Sequence, residues 1–138
     1  MKALIIGCNG LLGQNLIRTL PSDGKWQLVG AGIEAAAVLS PYLAEYRSLD
    51  VTKRQALESV LAEYSPDLIL NAAAITDVDL CERDRPLCAL LNRDAVGWMA
   101  ATGVPLVQIS SDYVFDGLSG PYREQDPTGP LSYYGSTK

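Results

Sequence analysis

Three residues in the last third of the chain carry side chains that together could reduce a ketone. Ser111 lies in "ISSDYVFDG", and Tyr134 and Lys138 lie four positions apart in "YYGSTK". Residues i and i+4 share a face of a helix, so the ammonium would lie beside the phenol. A free phenol, with a pKa of about 10, exchanges protons reluctantly near neutral pH, and a nearby ammonium favours its ionised form. We therefore predict a catalytic set in which serine orients a carbonyl, tyrosine transfers a proton and lysine activates the tyrosine.

The tyrosine–lysine spacing is weak evidence alone, because such pairs also occur by chance on solvated helix faces. Tyr133 is a competing tyrosine, but it lies five residues before Lys138 and would point elsewhere. The order of motifs along the chain strengthens the prediction. A glycine-rich turn comes first, then a serine at a predicted strand end, then the tyrosine and the lysine.

The glycine-rich turn is "GCNGLLG", which lies between an apolar run and a segment with helical periodicity. Gly7 permits a tight turn, Gly10 lets the backbone approach a pyrophosphate, and Gly13 lets the helix pack closely on the sheet. The N-terminus of that helix would present free N–H groups to the phosphates. The motif in this position predicts dinucleotide binding, and a turn without a ligand is the alternative.

Further predicted cofactor contacts follow the later strands. Glu34 comes 21 positions after Gly13, where an acidic residue accepts hydrogen bonds from the adenosine ribose. A carboxylate there would repel the 2′-phosphate of NADP, so we expect NADH or NADPH as cofactor with NADH slightly favoured. Glu34 could equally be an exposed loop residue. Asp50 and Val51 follow the third predicted strand, at the position where dinucleotide-binding folds hold the adenine. The small residues of "NAAAIT" leave room for the cofactor, or they serve only helix–sheet packing.

Short apolar runs alternate with segments of helical periodicity along the whole chain. The predicted strands are Ala3–Gly7, Trp26–Gly32, Tyr46–Leu49, Asp67–Ala74 and Val104–Ser111. The predicted helical faces are Leu12, Leu16, Ile17 and Leu20, then Leu57, Val60, Leu61 and Tyr64, then Leu87 to Met99 with Pro86 as the first helical residue. This alternation predicts an α/β fold with a doubly wound, Rossmann-like parallel sheet.

The predicted sheet is incomplete, because a full dinucleotide-binding sheet usually adds at least a sixth strand. Residues 33–43 are ambiguous and residues 117–130 are predicted to be a long loop. A last helix would begin around Leu131 and stop after about two turns, so that its end should fray. We expect residues 1–138 to be the NAD(P)-binding Rossmann domain of a longer enzyme, truncated at the tyrosine–lysine helix.

Composition excludes several classes of protein. The chain is 48% apolar and 20% charged, which is typical of a globular domain. A net charge of -5 argues against nucleic acid or an anionic membrane surface as partner. No apolar run approaches a membrane span and no signal-peptide pattern is present, so we expect a cytoplasmic protein.

Histidine is absent, so we expect no metal site of the Cys/His kind. The three cysteines (Cys8, Cys81 and Cys88) are predicted to be small buried thiols in a reducing cytosol.

Together the motifs resemble the dTDP-4-dehydrorhamnose reductase family, in the extended branch of the short-chain dehydrogenase/reductase superfamily. The matching stretches are "GCNGLLG", "PDLILNAAAITDVDLCERD", "LNRDAV", "ISSDYVFDG" and "YREQDPTGPLSYYGSTK". The resemblance implies reduction of the 4-keto group of a nucleotide-linked deoxysugar, dTDP-4-dehydrorhamnose, by NADH or NADPH. It implies Ser111 (threonine in many members), Tyr134 and Lys138 as catalytic residues and Asp112 near the sugar. The implied cofactor contacts are Gly10, Leu11, Leu12, Asp50, Val51, Ala74, Ile75 and Thr76.

The resemblance also implies parts that lie outside these residues. Family members continue well past the lysine with a smaller lobe that grips the sugar nucleotide, so we expect this chain alone to bind cofactor weakly and not to turn over. The resemblance is compatible with a homodimer of the full-length protein. Two alternatives stay open. One is another nucleotide-sugar reductase or epimerase; the other is a regulatory subunit resembling that of methionine adenosyltransferase, which has arginines where this chain has Glu34 and Ala35.

Overall fold

A five-stranded parallel sheet forms the centre of the computed structural model, which describes residues 1–20 and 24–138. Its strands are β1 (Lys2–Ile6), β2 (Gln27–Gly32), β3 (Glu45–Ser48), β4 (Leu68–Asn71) and β5 (Leu106–Gln108). Their order across the sheet is β3-β2-β1-β4-β5. The winding reverses between β1 and β4, so a crevice forms at the carboxyl ends of these two strands. The predicted doubly wound α/β fold is confirmed.

Helices lie between the strands. They are α1 (Leu11–Thr19), α2 (Arg54–Tyr64), α3 (Val78–Arg83), α4 (Arg85–Ala89), α5 (Ala95–Ala100) and α6 (Tyr133–Ser136). A π-helical turn, Leu90–Asp94, joins α4 to α5, and short 3-10 turns cover Ser40–Tyr42 and Asp112–Val114. None of the helices in the described part of the chain is long and apolar enough to cross a membrane.

The central strand β1 is buried on both faces, as its continuous apolar sequence predicts. Leu4 and Ile6 pack into one core with the predicted apolar face of α2, whereas Ala3 and Ile5 pack into a second core with Ile17 of α1. Because side chains alternate along a strand, the five residues of β1 contribute side chains to both cores. The result is a layer of helices on each side of the sheet.

The structure corrects several predicted boundaries. The third predicted helix is divided by the π-helical turn, and Pro86 is its second residue, because Asp84 caps the helix through the backbone N–H of Leu87 and Arg85 comes first. Strand β5 ends at Gln108 rather than at Ser111. The last helix begins at Tyr133, where Ser132 caps it, and has four residues, so Lys138 lies beyond its end. Helix α3, which was not predicted, is capped by Asp77.

The cysteines are buried as predicted, but two of them are not thiols. Cys81 and Cys88 form a disulfide, with their Cα atoms 5.2 Å apart, and Cys8 is the free cysteine of the described residues. The prediction of three thiols was wrong because α3 and α4 turn back on each other and bring the two sulfurs together. Since disulfides are rare in reducing compartments, the cysteines no longer support a cytosolic location.

Cysteine labelling tests this pairing. We expect alkylation of the unfolded chain without reductant to modify one cysteine, Cys8, and alkylation after reduction with dithiothreitol to modify three. Intact-mass spectrometry counts the added groups, and a Cys8→Ser variant should give none and two under the same conditions. Three modified cysteines without reductant would restore the thiol prediction.

Candidate functional site

The turn after β1 brings three stretches of backbone into contact. Gly7 has φ +75°, and a Cβ added there would lie 2.7 Å from the backbone nitrogen of Ala73. A Cβ added at Gly13 would lie 2.6 Å from the Cα of Cys8 and closer still to the carbonyl oxygen of Gly7. No larger residue fits at either position without movement of the backbone. These two glycines therefore fix α1 against the ends of β1 and β4, which is the packing that the glycine motif predicts.

Gly10 has a different environment from its two neighbours in the motif. It is the N-cap of the nine-residue helix α1, and a Cβ added there would meet only the oxygen of Gly7, at 3.4 Å. Leu11, the first residue of the helix, is 84% exposed. The first N–H groups of α1 thus face open space, as an anion-binding helix N-terminus requires.

Two adjoining cavities occupy the crevice. The first, which we call the Glu34 cavity, has a volume of about 270 Å³, and Gly7, Asn9, Asp50 and Val51 are among its lining residues. The second, the Tyr134 cavity, has a volume of about 350 Å³ and is lined by Leu11, Leu12, Thr76, Tyr134 and Lys138, among others. Both cavities are lined by Gly10, Ala72, Ala73 and Ala74. The groove beside Gly10 is therefore open and continues from the glycine turn to the tyrosine.

Polar groups are held in fixed positions in the Glu34 cavity. Asn9 donates a hydrogen bond from Nδ2 to Oε2 of Glu34, at 3.0 Å. Asp50 accepts hydrogen bonds from the Thr52 hydroxyl and backbone N–H, at 2.6 and 3.0 Å, and these bonds lower the pKa of its carboxyl group. Burial, with a smaller contribution from the Glu34 carboxylate, raises the pKa of Cys8 to about 11. Cys8 is therefore a neutral core residue rather than a nucleophile.

The predicted proton donor lies in the Tyr134 cavity. Tyr134 is only 7% exposed, and no hydrogen bond of its hydroxyl is recorded among the described residues. Since the described residues also contain no buried polar side-chain atom without a partner, the hydroxyl is not fully buried. Lys138 Nζ lies 5.9 Å from the centre of the Tyr134 ring, and burial lowers the pKa of the lysine. The tyrosine and lysine thus meet, although the lysine follows the helix instead of continuing it.

A buried asparagine connects the helix of Tyr134 to the loop after β4. Asn92, 3% exposed, accepts a hydrogen bond from the Ile75 backbone N–H and donates one to the Ile75 carbonyl, each at 2.9 Å. Its amide also donates to the hydroxyl of Thr137, which in turn donates to the carbonyl of Tyr134 at 2.7 Å. Asn92 lies in the motif "LNRDAV", whose sequence alone does not reveal this bridging role.

The predicted serine is not at the strand end. Ser111 caps the 3-10 turn by accepting a hydrogen bond from the backbone N–H of Tyr113 at 3.2 Å, and its hydroxyl donates to Asp112 at 3.1 Å. It is not among the described residues that line the Tyr134 cavity, whereas Ser110 and Gln108 are. Sequence reasoning missed these two residues because the predicted strand ran three residues too far.

The remaining predicted site residues lie elsewhere. Asp112 lines a third cavity of about 430 Å³ with Tyr113, Phe115 and Tyr122 among its other lining residues. Gly13 and Ile75 are not among the described residues that line the first two cavities. Gly13 acts through packing, and Ile75 packs beside Tyr134 in a small apolar cluster.

The strand order and flanking helices define a Rossmann-like α/β domain of the short-chain dehydrogenase/reductase type, shared with solved reductases. Residues 1–138 match the family model described as the RmlD substrate binding domain, and the chain belongs to that family.

Two of the similar proteins differ in their described function. The chain is 37% identical to dTDP-4-dehydrorhamnose reductase of Burkholderia thailandensis over 100% of the chain and 43% of the relative. It is 34% identical to the methionine adenosyltransferase 2 subunit beta of Bos taurus over 99% of the chain and 40% of the relative. The chain therefore spans less than half the length of these relatives.

Solved structures agree with the family assignment. A hypothetical dTDP-4-dehydrorhamnose reductase from Sulfolobus tokodaii matches with a TM-score of 0.87 and 35% identity, over 99% of this chain and 49% of that one. A dTDP-4-dehydrorhamnose reductase from Bacillus anthracis, solved in complex with NADP, matches with a TM-score of 0.82 and 28% identity, over 99% and 45%. The family is therefore one of nucleotide-sugar reductases like dTDP-4-dehydrorhamnose reductase, and the chain is also similar to the beta subunit of methionine adenosyltransferase 2.

Gly10 and Gly13 should respond differently to replacement by alanine. We expect Gly13→Ala to lower the free energy of unfolding by about 1–3 kcal/mol, because its Cβ would overlap the turn. Gly10→Ala should cost about 1 kcal/mol or less, since an N-cap tolerates alanine poorly but the space is open, and should weaken NADH binding. Thermal unfolding and calorimetric titration measure the two effects. A Gly10→Ala variant as unstable as Gly13→Ala would contradict this separation of roles.

Proposed function

We propose that this chain is the NAD(P)H-binding part of a reductase that acts on the 4-keto group of a nucleotide-linked deoxysugar, converting dTDP-4-dehydrorhamnose to dTDP-L-rhamnose. In this proposal, residues 1–138 form the cofactor domain, and the sugar nucleotide is gripped mainly by residues outside this chain. The chain alone would bind cofactor weakly and would not turn over.

One observation carries the proposal. Tyr134 and Lys138 line the same cavity as Gly10 and Leu12, at the N-terminus of α1. Helix N-termini bind phosphates through their free N–H groups. A dinucleotide with its pyrophosphate there and its adenosine toward Glu34 would extend its other end along the groove toward Tyr134. The residues present thus fit a nicotinamide dinucleotide.

In the proposed reaction, the reduced nicotinamide would supply the hydride to the carbonyl carbon. The chain would supply the proton: as negative charge develops on the carbonyl oxygen, the Tyr134 hydroxyl donates its proton to that oxygen. The protonated form of Lys138, close to the ring, would stabilise the phenolate that remains after the proton has been transferred. Enclosure of the ring by α6 and the cysteine pair keeps water from most of the phenol.

The proposed role of the serine requires a change in its hydrogen bonding. We assign to Ser111 a hydrogen bond to the substrate oxygen and to Asp112 a contact with the sugar, as the family resemblance implies. In the structure, the Ser111 hydroxyl already bonds to Asp112. Substrate binding would therefore require the Ser111 hydroxyl to rotate toward the Tyr134 cavity, where its neighbour Ser110 already lies.

Cofactor choice within the proposal follows from Glu34. The solved Bacillus anthracis relative is a complex with NADP, so the family fold accommodates the 2′-phosphate. In this chain, a carboxylate held in the Glu34 cavity would repel that phosphate and accept hydrogen bonds from an unmodified ribose. We therefore propose NADH as the preferred cofactor.

Conservative replacement of the tyrosine tests the reaction. In the full-length protein that contains this chain, we expect Tyr134→Phe to lower kcat for NADH-dependent reduction of dTDP-4-dehydrorhamnose by about 10²–10⁴-fold, because the proton donor is lost. Tyr133→Phe, the adjacent matched control, should retain kcat within about twofold. The measurement is NADH consumption with product identification by mass spectrometry.

Two other outcomes of this assay would change the proposed function. If the wild-type protein does not turn over but associates tightly with a methionine adenosyltransferase, the regulatory-subunit alternative replaces the reductase. Turnover of a different nucleotide sugar would keep the reaction and change the substrate.

A second pair of variants identifies the serine. We expect Ser111→Ala to lower kcat by about 10²-fold through loss of a donor to the developing oxyanion, and Ser110→Ala to have a smaller effect. Circular dichroism and cofactor binding show whether each variant is intact. A larger loss in Ser110→Ala would move the role to the residue that lines the cavity in this structure.

A further inference from the structure

We propose that Asn9 positions Glu34 and is thereby a determinant of preference for NADH over NADPH. This inference rests on the proposed function, because it concerns the same cofactor. Asn9 is one of the two residues between the first two glycines of the motif, and nothing in the spacing of those glycines requires an amide there.

The amide of Asn9 joins the glycine turn to the segment after β2. Its Nδ2 donates to Oε2 of Glu34 at 3.0 Å and to the carbonyl of Ala36 at 2.9 Å. Its Oδ1 accepts a hydrogen bond from the backbone N–H of Val38 at 2.9 Å. Both donor hydrogens and the acceptor oxygen of one side chain thus have partners on the segment that carries Glu34. An aliphatic residue could make none of these bonds.

Asn9 is itself held in place. Gln14, on the first turn and a half of α1, donates from Nε2 to the backbone carbonyl of Asn9 at 2.8 Å. The residue lies in the turn that Gly7 and Gly13 pack tightly, so its backbone has little freedom. Asn9 can therefore act as a fixed anchor from which the neighbouring segment is positioned.

The backbone of Glu34 is held separately from its side chain. The Tyr46 hydroxyl bonds to the carbonyl oxygens of Glu34 and Gly32, at 2.7 and 3.2 Å. A Cβ added to Gly32 would lie 2.8 Å from Oε2 of Glu34, so the carboxylate rests against the Gly32 backbone. Tyr46 thus fixes where the residue is, and Asn9 fixes where its charge is.

This distinction matters because Glu34 is exposed. An exposed glutamate normally samples several rotamers and can turn away from an incoming anion at small cost. The bond from Asn9 uses one carboxylate oxygen and, among the described residues, no bond is recorded to the other. The free oxygen can accept a hydrogen bond from a ribose hydroxyl. A 2′-phosphate would meet a charge that cannot easily move away.

A thermodynamic cycle tests the inference. Calorimetry gives the Kd values of NADH and NADPH for the full-length protein and for Asn9→Ala, Glu34→Ala and the double variant. We expect Asn9→Ala to reduce the ratio of the NADPH Kd to the NADH Kd by about tenfold, the effect of a lost hydrogen bond to a charged group. With alanine at position 34, the further change Asn9→Ala should leave that ratio unchanged.

The controls separate positioning from general damage. Asn15→Ala removes an amide of α1 whose one hydrogen bond within the described residues goes to the Leu11 carbonyl, and it should leave the ratio unchanged. Thermal unfolding reports any loss of fold. The inference is overturned if Asn9→Ala leaves the ratio of the two Kd values unchanged, or if it changes that ratio equally with Glu34 and with alanine at position 34. Either result would leave the proposed binding of NADH intact. Failure of the wild type to bind either cofactor overturns the inference together with the proposed function.

Discussion

The site depends on one steric constraint, the contact of three backbone segments at positions where no side chain fits. Gly7 touches the segment after β4, and Gly13 brings α1 onto the turn after β1. If either contact were wider, the N-terminus of α1 would move away from the carboxyl ends of β1 and β4. The residues common to the two cavities (Gly10, Ala72, Ala73 and Ala74) are the ones that this contact brings together. The open groove is thus a consequence of close packing directly beneath it.

Two asparagines extend this rigid centre in opposite directions along the groove. Asn9 bonds to the segment that carries Glu34, and Asn92 bonds to both backbone groups of Ile75 and to Thr137 beside Tyr134. Each amide replaces backbone pairing that an irregular segment cannot make for itself. At Asn92, which is buried, leaving such groups unpaired would be costly. The polar ends of the groove are therefore built from side chains, while its centre is built from backbone.

Much of the fold was predictable because parallel strands buried on both faces leave a clear mark in the sequence. Runs such as "ALIIG" identified the strands, and the apolar spacing from Leu57 to Tyr64 identified α2 with its buried face. The same apolar character misplaced strand ends. The run "VPLVQISS" continues past the end of β5 at Gln108, because sequence alone does not separate a strand from the segment that leaves it; of that segment, Ile109 and Ser110 line the crevice.

The site was predictable where it depends on spacing and unpredictable where it depends on tertiary contact. The glycine motif and the Tyr134–Lys138 spacing lead to residues that share one groove. The disulfide between Cys81 and Cys88, the hydrogen bonds of Asn9 and Asn92, and the place of Ser110 in the cavity follow from how distant segments meet. No local pattern contains that information. Short polar residues are especially ambiguous, since the same asparagine suits a turn, a cap or a buried bridge.

Helix α6 shows that the length of a helix is a poor guide to how firmly it holds Tyr134. A four-residue helix in isolation would not persist. Here Ser132 caps it, Glu82 of α3 accepts a hydrogen bond from the Tyr133 backbone N–H at 2.7 Å, and a Cβ added at Gly135 would overlap the Tyr113 carbonyl. The ring of Tyr134 meets that of Tyr113 edge-on, with 5.6 Å between centres. The ring of Tyr134 is thus positioned by contacts with distant parts of the chain, Glu82 and Tyr113, and not by the length of its helix.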